Sequence, residues 1–433
     1  MTEKTMKKYY IKTFGCQMNA ADSDMFSEYL ISCGYLPTDT PDNADIVIIN
    51  TCSVRQHAEE RAFTEIGDMK HYKAANPNGK VIVVGCMAEN LGDEIKKKYQ
   101  QVDLVIGAKN TQNFPEIMTQ SGIIQKGIAA AVAKNDNKIS SHITIMRGCN
   151  NFCSYCIVPY VRGPEQSKPV DEILKEITDL TERGIKEISL LGQNVNSYFS
   201  NNVDFADLLA KVSEIKNIKR IRFMTNHPKD VSDKLLKSIS TLNKVCHHIH
   251  LPLQSGSDKI LELMNRKYTF ENYYQLVRKI RYYISEISIT SDIMTGFPTE
   301  TDKDHKATIE AINKIGFDFT YVFKYSPRSK TEAFKLKDDV TKEKKEKWHK
   351  ELLDLCNSIA KERNTKLIGT LSEVLVESSA DTPEINDDKK EFFGKGRDNR
   401  GIVFRSAKNL IGQSINVKIT QAKIHSLIGE VEN

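Results

Sequence analysis

The chain has 433 residues, a formal net charge of +5 at pH 7, 39% hydrophobic residues and 27% charged residues. At about 150 residues per domain this length predicts roughly three domains, and the composition is ordinary for a soluble globular protein. The mild positive charge permits a nucleic-acid partner without requiring one. The first residues lack the apolar run of a secretory signal, and no stretch reaches the ~20 apolar residues of a membrane span, so we expect a cytoplasmic protein with no membrane partner.

Residues 1–125 are predicted to form an α/β domain around a parallel sheet. Short apolar runs alternate there with helical patterns, which is typical of parallel strands joined by right-handed crossovers. The predicted strands are Tyr9 to Phe14, Ala44 to Asn50, Lys80 to Gly85 and Val102 to Gly107, and the predicted helices run from about Ala21 to Ile31, Arg55 to Lys73 and Asn90 to Tyr99.

Residues 126–141 are weakly patterned and rich in alanine, lysine and asparagine, so we interpret them as a linker. Residues 142–364 then repeat a strand–helix pattern six times, which indicates a partial (β/α)6 barrel rather than a full eight-stranded one. One of its helices is predicted at Val170 to Gly184, and a long charged helix, about Thr341 to Arg363, is expected to carry the chain away from the barrel. The strands are predicted at His142 to Met146, Glu187 to Gly192, Arg220 to Thr225, His247 to Leu253, Ile287 to Met294 and Phe319 to Ser326.

Residues 365–433 change to short strand-like runs with polar turns, which predicts a small antiparallel β-barrel. One part of it combines two aromatic residues, Phe392 and Phe393, with a basic stripe. Such a combination suits phosphate contacts and base stacking, and the alternative is a solvated barrel face above two core phenylalanines. The basic stripe consists of Lys389, Lys390, Lys395, Arg397, Arg400, Arg405 and Lys408.

Three cysteines, Cys149, Cys153 and Cys156, lie within eight residues in the sequence RGCNNFCSYC. Thiolates hold the irons of a 4Fe–4S cube, normally one thiolate for each iron, so three cysteines leave one iron open. The segment follows a predicted barrel strand, which places it at the C-terminal mouth where such barrels carry their active sites. A zinc site is the alternative, although structural zinc prefers four ligands with paired spacings.

An open iron of this kind can be chelated by the amino and carboxylate groups of S-adenosylmethionine. An electron from the cluster then cleaves the C–S bond and gives a 5′-deoxyadenosyl radical, which attacks strong C–H bonds. The spacing therefore favours radical chemistry over acid–base catalysis.

A second set of cysteines occupies equivalent places in the N-terminal domain. Cys16, Cys52 and Cys86 each follow a predicted strand, in TFGCQMN, INTCSVR and VVGCMAE. The carboxyl ends of parallel strands line one crevice, so these thiols are expected to converge and to hold a second cluster with one open iron. The alternative is three separate buried cysteines. Cys33, Cys246 and Cys356 fit neither set and are interpreted as packing residues.

The motif RGCNNFCSYCIVPYVRGPEQS and the three strand-end cysteines resemble the radical S-adenosylmethionine methylthiotransferase family. The resemblance covers the whole chain. It implies an auxiliary 4Fe–4S cluster that supplies sulfur, and two molecules of S-adenosylmethionine per turnover, one giving a methyl group and one giving the radical. It also implies a TRAM-like RNA-binding domain at the C-terminus.

The same resemblance implies contacts to S-adenosylmethionine. Tyr155, before the third cysteine, is expected near the adenine. The other expected contacts come from strand ends and from a turn, since glycine permits close approach, amides bind zwitterions and arginine binds carboxylates. They are Gly192, Gln193 and Asn194 in GQN, Gln254 and Ser255 in LPLQSGS, Arg266 in MNRKY and Asp292 in SDIMTGFPTE.

The family has branches with different substrates. GCQMN followed by Asp22 and Ser23 resembles the branch that methylthiolates carbon 2 of dimethylallyl (isopentenyl) adenosine at tRNA position 37. The alternatives are threonylcarbamoyladenosine in tRNA, an aspartate of a small-subunit ribosomal protein, and a non-enzymatic RNA-binding protein with structural metal. The expected partners are the tRNA anticodon stem-loop, an electron donor such as flavodoxin or ferredoxin, and iron–sulfur assembly proteins, with the protein acting as a monomer.

Overall fold

The structure is a computed structural model that describes residues 6–54, 56–124, 138–380 and 389–432. These residues form two compact units. The first unit contains the described residues up to 124 together with 147–152 and 156–166, and the second contains 138–146, 153–155 and the described residues from 167 onwards. Most of the predicted linker lies outside the described residues.

The first unit contains a five-stranded sheet in which every strand pairs in parallel with its neighbours, in the order β2-β1-β3-β4-β5. Its strands are β1 (Lys8–Thr13), β2 (Leu36–Pro37), β3 (Ile46–Thr51), β4 (Lys80–Gly85) and β5 (Leu104–Gly107). Its helices are α1 (Gln17–Ser32), α2 (Gln56–Ala75), α3 (Cys86–Lys98), α4 (Phe114–Gln120) and α5 (Val158–Arg162), with 3-10 turns at Pro41–Asn43 and Ala108–Asn113. The predicted parallel α/β sheet is confirmed.

Both faces of this sheet are covered by helices. Ile46 and Ile48 of β3 pack with α1 and α4, whereas Val47 and Ile49 pack with α2 and α3. Successive residues of a strand point to opposite faces, so a strand buried on both sides is apolar at every position. This explains the uninterrupted apolar run from which the strand was predicted.

The second unit contains six parallel strands arranged as two three-stranded sheets, β12-β9-β6 and β13-β14-β15. A parallel bridge between Ile221 of β12 and Val245 extends the sheet β12-β9-β6 towards the sheet β13-β14-β15. The predicted partial (β/α)6 barrel is therefore confirmed. Strands in residues 138–326 are β6 (Ser140–Thr144), β7 (Met146–Arg147), β8 (Gln166–Ser167), β9 (Glu187–Leu191), β10 (Phe199–Ser200), β11 (Val203–Asp204), β12 (Arg220–Phe223), β13 (His248–His250), β14 (Ser288–Thr295) and β15 (Phe319–Lys324).

Amphipathic helices cover the outer side of these strands. Residues such as Ile173, Leu236 and Val277 pack onto strand residues in one continuous core. The helices are α6 (Val170–Glu182), α7 (Phe205–Ser213), α8 (Asp233–Thr241), α9 (Asp258–Leu263), α10 (Phe270–Tyr283), α11 (Asp302–Ile315) and α12 (Lys342–Thr365), with 3-10 turns at Val195–Ser197, Pro228–Asp230 and Glu332–Lys335. The sequence predicts that the long helix α12 carries the chain away from the barrel; instead it packs in this layer, because Leu352 and Cys356 lie in the same core.

The C-terminal strands close into a small barrel in the order β16-β17-β18-β20-β19. They are β16 (Leu371–Ala380), β17 (Lys390–Gly396), β18 (Gly401–Ser406), β19 (Ser414–Ala422) and β20 (Ser426–Val431). The predicted barrel is confirmed, with one difference: β18 and β20 pair in parallel, whereas the other neighbours are antiparallel.

Two buried arginines of β12 attach this barrel to the rest of the second unit. Arg220 donates to the carbonyl oxygens of Lys395 and Glu373, and its Nη2 lies 2.8 Å from Glu373 Oε1. Arg222 Nη2 donates to the carbonyl of Gly396 at 2.7 Å.

Among the described residues, no helix has the length and apolar character needed to cross a membrane.

Candidate metal centre and cofactor site

The three strand-end cysteines of the first unit are brought to one edge of the sheet. Cys52 follows the last residue of β3, Cys86 follows β4 as the first residue of α3, and Cys16 precedes α1. Asn19 ties two of these strand ends together, because its Nδ2 donates to the carbonyls of Phe14 (2.8 Å) and Thr51 (2.9 Å). Helix α3 begins at Cys86, which is four residues before Asn90, the start predicted from the sequence.

A glycine allows the first of these cysteines to approach the second. Gly15 has a φ of +104°, a conformation that side chains disfavour, and a Cβ added to it would lie 2.6 Å from Cys52 Sγ. The backbone before Cys16 thus passes directly over the Cys52 thiol, so the GC dipeptide is needed for the close approach.

A buried ionic network lies beside these thiols. Arg162 Nη2 donates to Asn19 Oδ1 at 2.8 Å and lies 3.3 Å from Asp22 Oδ2. Arg147 Nη2 lies 2.6 Å from Asp22 Oδ1. The side chains of Asp22 and Arg162 are 0% and 3% exposed, so a single carboxylate faces two guanidinium groups away from water.

The thiols and this network influence each other's protonation. Burial raises the pKa of the Cys86 thiol, and the adjacent Arg162 works against that rise. Burial lowers the pKa of Arg162, but Cys86, Asp22 and Cys16 outweigh it, so the pKa of this guanidinium lies above its ordinary value. Arg162 therefore stays charged and favours thiolates next to it.

The charge balance of this site fits an anionic cluster. With neutral thiols, Arg147 and Arg162 exceed Asp22 by one buried positive charge, and Arg162 Nη1 has no hydrogen-bond partner among the described residues. A buried unpaired charge is costly, whereas a cube held by three thiolates carries negative charge and would balance it. Cys16, Cys52 and Cys86 therefore fit the predicted auxiliary cluster.

The described ranges contain no group of three or more His, Cys, Asp or Glu side chains placed to hold one metal ion. In a 4Fe–4S cube each thiolate binds a different iron, so its ligands need not converge on a single centre.

The second cysteine motif is divided between the units: Cys149 and Cys156 belong to the first and Cys153 to the second. In the first unit, Cys149 N donates to Gly163 O at 3.2 Å, and the preceding Gly148 has a φ of +78°. A Cβ there would lie 1.9 Å from Pro164 O, so only glycine fits before this cysteine. Cys156 is partly buried.

In the second unit, Arg266 holds Cys153. Its Nη1 donates to Cys153 Sγ at 3.3 Å, its Nη2 to Pro252 O at 2.9 Å and its Nε to Tyr268 Oη at 2.9 Å. All three nitrogens are thus occupied by protein, whereas the sequence prediction gave this residue a ligand carboxylate. Burial lowers the pKa of Arg266, but Tyr268, Tyr155 and Cys153 raise it well above the ordinary value, so Arg266 stays cationic beside the Cys153 sulfur.

The other residues predicted to contact S-adenosylmethionine differ in whether their polar atoms already have hydrogen-bond partners in the protein. Gln193 keeps a buried Oε1 with no hydrogen-bond partner in the described residues, so it can accept from a ligand. Asn194 is occupied, since its Nδ2 donates to Asp230 and its Oδ1 accepts from the His227 backbone. Gly192 is required by packing, because a Cβ there would lie 2.5 Å from Met146 Cγ.

The remaining predicted contacts lie on or near β13 and β14. Ser255 is fully buried, and its Oγ accepts from Ser257 N at 3.2 Å, so its hydroxyl serves the local turn. Gln254 has a φ of +72° and is nearly buried. Asp292 Oδ2 lies 3.5 Å from His250 Nε2, and Tyr155 packs against an apolar cluster with Phe297 and Tyr325.

The basic stripe of the C-terminal barrel is not one continuous surface. Arg397 donates to the carbonyls of Asn243 and Val245. Arg400 donates to Asn364 Oδ1 and lies 2.6 Å from Asp318 Oδ1. Both therefore bind protein groups, and Lys395 lies 3.3 Å from Glu377. Lys389, Lys390 and Lys408 are exposed, whereas Arg405 is partly buried and its Nη2 donates to the carbonyl of Lys389 at 3.1 Å.

Phe392 is a core residue that stacks on Phe404 with ring centroids 5.8 Å apart, as in the alternative interpretation of this face. Phe393 is partly buried and contacts Gly401. Among the cysteines interpreted as packing residues, Cys246 and Cys356 are buried, and burial raises the pKa of Cys356 to about 11.

Sequence reasoning missed the residues that support the cysteines. Asp22, Arg147 and Arg162 are remote from one another in the chain, and no local periodicity marks them as a network. The only local signal was that Arg147 and Arg162 lie within or just after the cysteine motif. His227 was also missed; burial, assisted by Arg266 and Lys229, lowers its pKa to about 2, so it stays neutral.

The partial barrel and the three-cysteine motif define a radical S-adenosylmethionine protein, and the profile described as "Radical SAM superfamily" matches residues 143–312. A second profile, "Uncharacterized protein family UPF0004", matches residues 8–107. Curated relatives include proteins from Endomicrobium trichonymphae (45% identical; 98% of this chain and 99% of the relative) and Thermodesulfovibrio yellowstonii (44%; 98% of each). The chain belongs to their family, the tRNA-2-methylthio-N(6)-dimethylallyladenosine synthases.

Solved structures support the fold. The radical S-adenosylmethionine methyltransferase TsrM from Kitasatospora setae, with its tryptophan substrate and an S-adenosylmethionine analogue bound, superposes with a TM-score of 0.54 at 13% identity, covering 73% of this chain and 72% of that chain. The cobalamin-dependent radical enzyme OxsB gives a TM-score of 0.52 at 12% identity over 82% of this chain and 56% of that chain. At this identity the likeness concerns the fold alone.

Proposed function

We propose that this protein is a radical S-adenosylmethionine enzyme that converts the C–H bond at carbon 2 of dimethylallyladenosine, at position 37 of tRNA, into C–S–CH₃. Cys149, Cys153 and Cys156 would hold the radical cluster, and Cys16, Cys52 and Cys86 the auxiliary cluster. When bound, S-adenosylmethionine would supply the methyl group and the 5′-deoxyadenosyl radical, and the auxiliary cluster would supply the sulfur atom. The relatives' names support the substrate, and the buried excess of positive charge beside Cys86 is the structural observation that carries the auxiliary site.

The chain's own residues hold and polarise the thiols. Arg266 fixes the Cys153 sulfur and stays charged, which favours the thiolate form that binds iron. Arg162 does the same beside Cys86, while Asp22 keeps both Arg162 and Arg147 in place. Gln193 offers a buried acceptor for a donor group of S-adenosylmethionine. The exposed lysines of the stripe, Lys389, Lys390 and Lys408, would supply phosphate contacts.

Anaerobic reconstitution and tRNA analysis test this function. The wild-type protein should bind about eight irons, one cube per cysteine triad, and release 5′-deoxyadenosine when reduced by flavodoxin or ferredoxin. Cys16→Ala and Cys149→Ala should each lose one cluster, while Cys33→Ala serves as the matched cysteine control and should lose none. Mass spectrometry of tRNA from cells lacking the protein should show dimethylallyladenosine without methylthio, and retention of methylthio would refute the proposal.

A further inference from the structure

A cavity of about 440 Å³ lies in the second unit, where the sheet β13-β14-β15 meets the C-terminal barrel. Its walls include Phe319, Tyr321 and His425, and polar groups from Ser288, Asn399 and Arg400. A cavity of this size is in the range that holds small ligands, and a few polar groups among aromatic ones would fix the orientation of such a ligand. None of these residues belongs to the cysteine sites.

The aromatic walls come from alternate residues of one strand. Phe319 and Tyr321 are two residues apart on β15, so both side chains project from the same face. Their rings lie 4.9 Å apart at 79°, and the Phe319 ring lies 5.3 Å from His425 of the C-terminal barrel at 73°. Tyr321 is 45% exposed, so a flat ligand can reach its ring.

The acidic groups of the cavity are neutralised by arginine. Asp318 lies 2.6 Å from Arg400 and 2.7 Å from Arg363, and Asp398 also pairs with Arg400. The wall therefore carries no unpaired carboxylate that would repel an approaching phosphate. The Ser288 hydroxyl and the Asn399 amide make no side-chain hydrogen bond within the described ranges, and both can bind the edge of a planar polar ligand.

The cavity is at the opposite end of the strands from the cysteine motif. Phe319 pairs with Thr290, whereas Lys324 pairs with Thr295 at the carboxyl end of β14. Tyr321 pairs with Asp292 and lies three residues of strand, about 10 Å, before Lys324, so a base on its ring does not reach the mouth that carries Arg266 and Cys153.

We propose that this cavity binds one unpaired nucleobase of the RNA substrate, a different base from the one that is modified. The proposal rests on the proposed function, which supplies an RNA loop as the substrate. Bases of single-stranded loops stack on aromatic side chains and place their polar edges against hydrogen-bonding groups. The base would stack on Tyr321, with its edge towards Ser288 and Asn399.

Binding of a fluorescent anticodon stem-loop RNA to the full-length protein tests this site. Tyr321→Ala should weaken the Kd by about 5- to 100-fold, the range expected for the loss of one base–aromatic stack, and Tyr321→Phe should restore binding. Tyr282→Ala is the matched control, since Tyr282 is 88% exposed on α10 and away from the cavity. Stem-loops with 2-aminopurine at single loop positions should show one position whose quenching is relieved by Tyr321→Ala.

The outcomes separate this proposal from the proposed function. If the wild-type protein binds the stem-loop and Tyr321→Ala binds it equally well, the nucleobase site is refuted while the tRNA function stands. If the wild-type protein neither binds the stem-loop nor supports methylthiolation of tRNA, the tRNA function fails and the site fails with it. Tyr321→Phe keeps the ring contact with Phe319, so its thermal unfolding should match wild type, and Tyr321→Ala should remain folded at the temperature of the binding assay.

Discussion

Removing one partner of the buried pair between Asp22 and Arg162 should destabilise the first unit strongly. Removing one partner of a buried ion pair costs about 3–5 kcal/mol, because the other charge is left buried and unpaired. In Arg162→Met, Arg147 still lies 2.6 Å from Asp22, so we expect the lower end of that range, about 3 kcal/mol. In Asp22→Asn, both guanidinium groups lose their only carboxylate, so we expect the upper end, about 5 kcal/mol.

The double variant distinguishes pairing from packing. In the variant carrying both Arg162→Met and Asp22→Asn, the two charges disappear together, so its cost should be smaller than the sum of the single costs by about 1–3 kcal/mol. The matched control is Lys109→Met, which removes the half-exposed pair with Glu89 (3.2 Å; 47% and 19% exposed) and should cost less than about 1 kcal/mol.

Hydrogen exchange of the apo protein, read by mass spectrometry on peptides covering β3 and β4, measures these costs without assuming that the whole chain unfolds in one step. A loss of about 3 kcal/mol corresponds to exchange roughly 100-fold faster. Additive single costs, or an Arg162→Met effect no larger than that of Lys109→Met, would show that the network does not stabilise the sheet as we argue.

Three further predictions concern the second unit and a helix of the first. Burial raises the pKa of Glu300 to about 7, although hydrogen bonds from two backbone amides oppose the rise, so the folded state binds this proton more tightly than the unfolded state. The free energy of unfolding should therefore fall by about 3 kcal/mol as the pH rises from 4.5 to 7. In Glu300→Gln, the urea midpoint should lack this dependence on pH. Gly192→Ala should push against Met146 and cost at least about 1 kcal/mol. Gly67 lies inside α2, and a Cβ there would meet only Tyr99, at 3.9 Å, so Gly67→Ala should stabilise by about 0.5–1 kcal/mol; urea midpoints measure both changes. Arg220→Met should accelerate proteolysis between α12 and β16 by loosening the C-terminal barrel, and unchanged cleavage would contradict the anchoring role of this side chain.

Much of the architecture was predictable because it depends on local pattern. The apolar runs of β3 and β4 are buried on both faces, so they identified a parallel sheet and, with it, the common edge that carries Cys52 and Cys86. The start of α3 was misplaced because the apolar-polar pattern begins only at its second turn, whereas the helix starts at Cys86 itself.

The support around the cysteines was not predictable, because it depends on contacts between residues distant in sequence. Asp22 and Arg162 are separated by 140 positions, and neither lies in a pattern that signals the other. The same reason explains Arg397 and Arg400: their charge suggested phosphate contacts, whereas their acceptors are carbonyl and carboxylate groups of the chain. Composition identifies a basic segment, but it does not show which of its lysines and arginines already bind other groups of the protein.

The insertion of β20 between β18 and β19 has a consequence for biosynthesis. β20 is the last of the five barrel strands in chain order, and it closes the barrel by pairing with both β18 and β19. Until β20 is synthesised, β18 and β19 each keep one unpaired edge, and such edges can pair with strands of other chains. A nascent chain paused before residue 426 therefore exposes two strand edges that favour aggregation, and synthesis of β20 covers them.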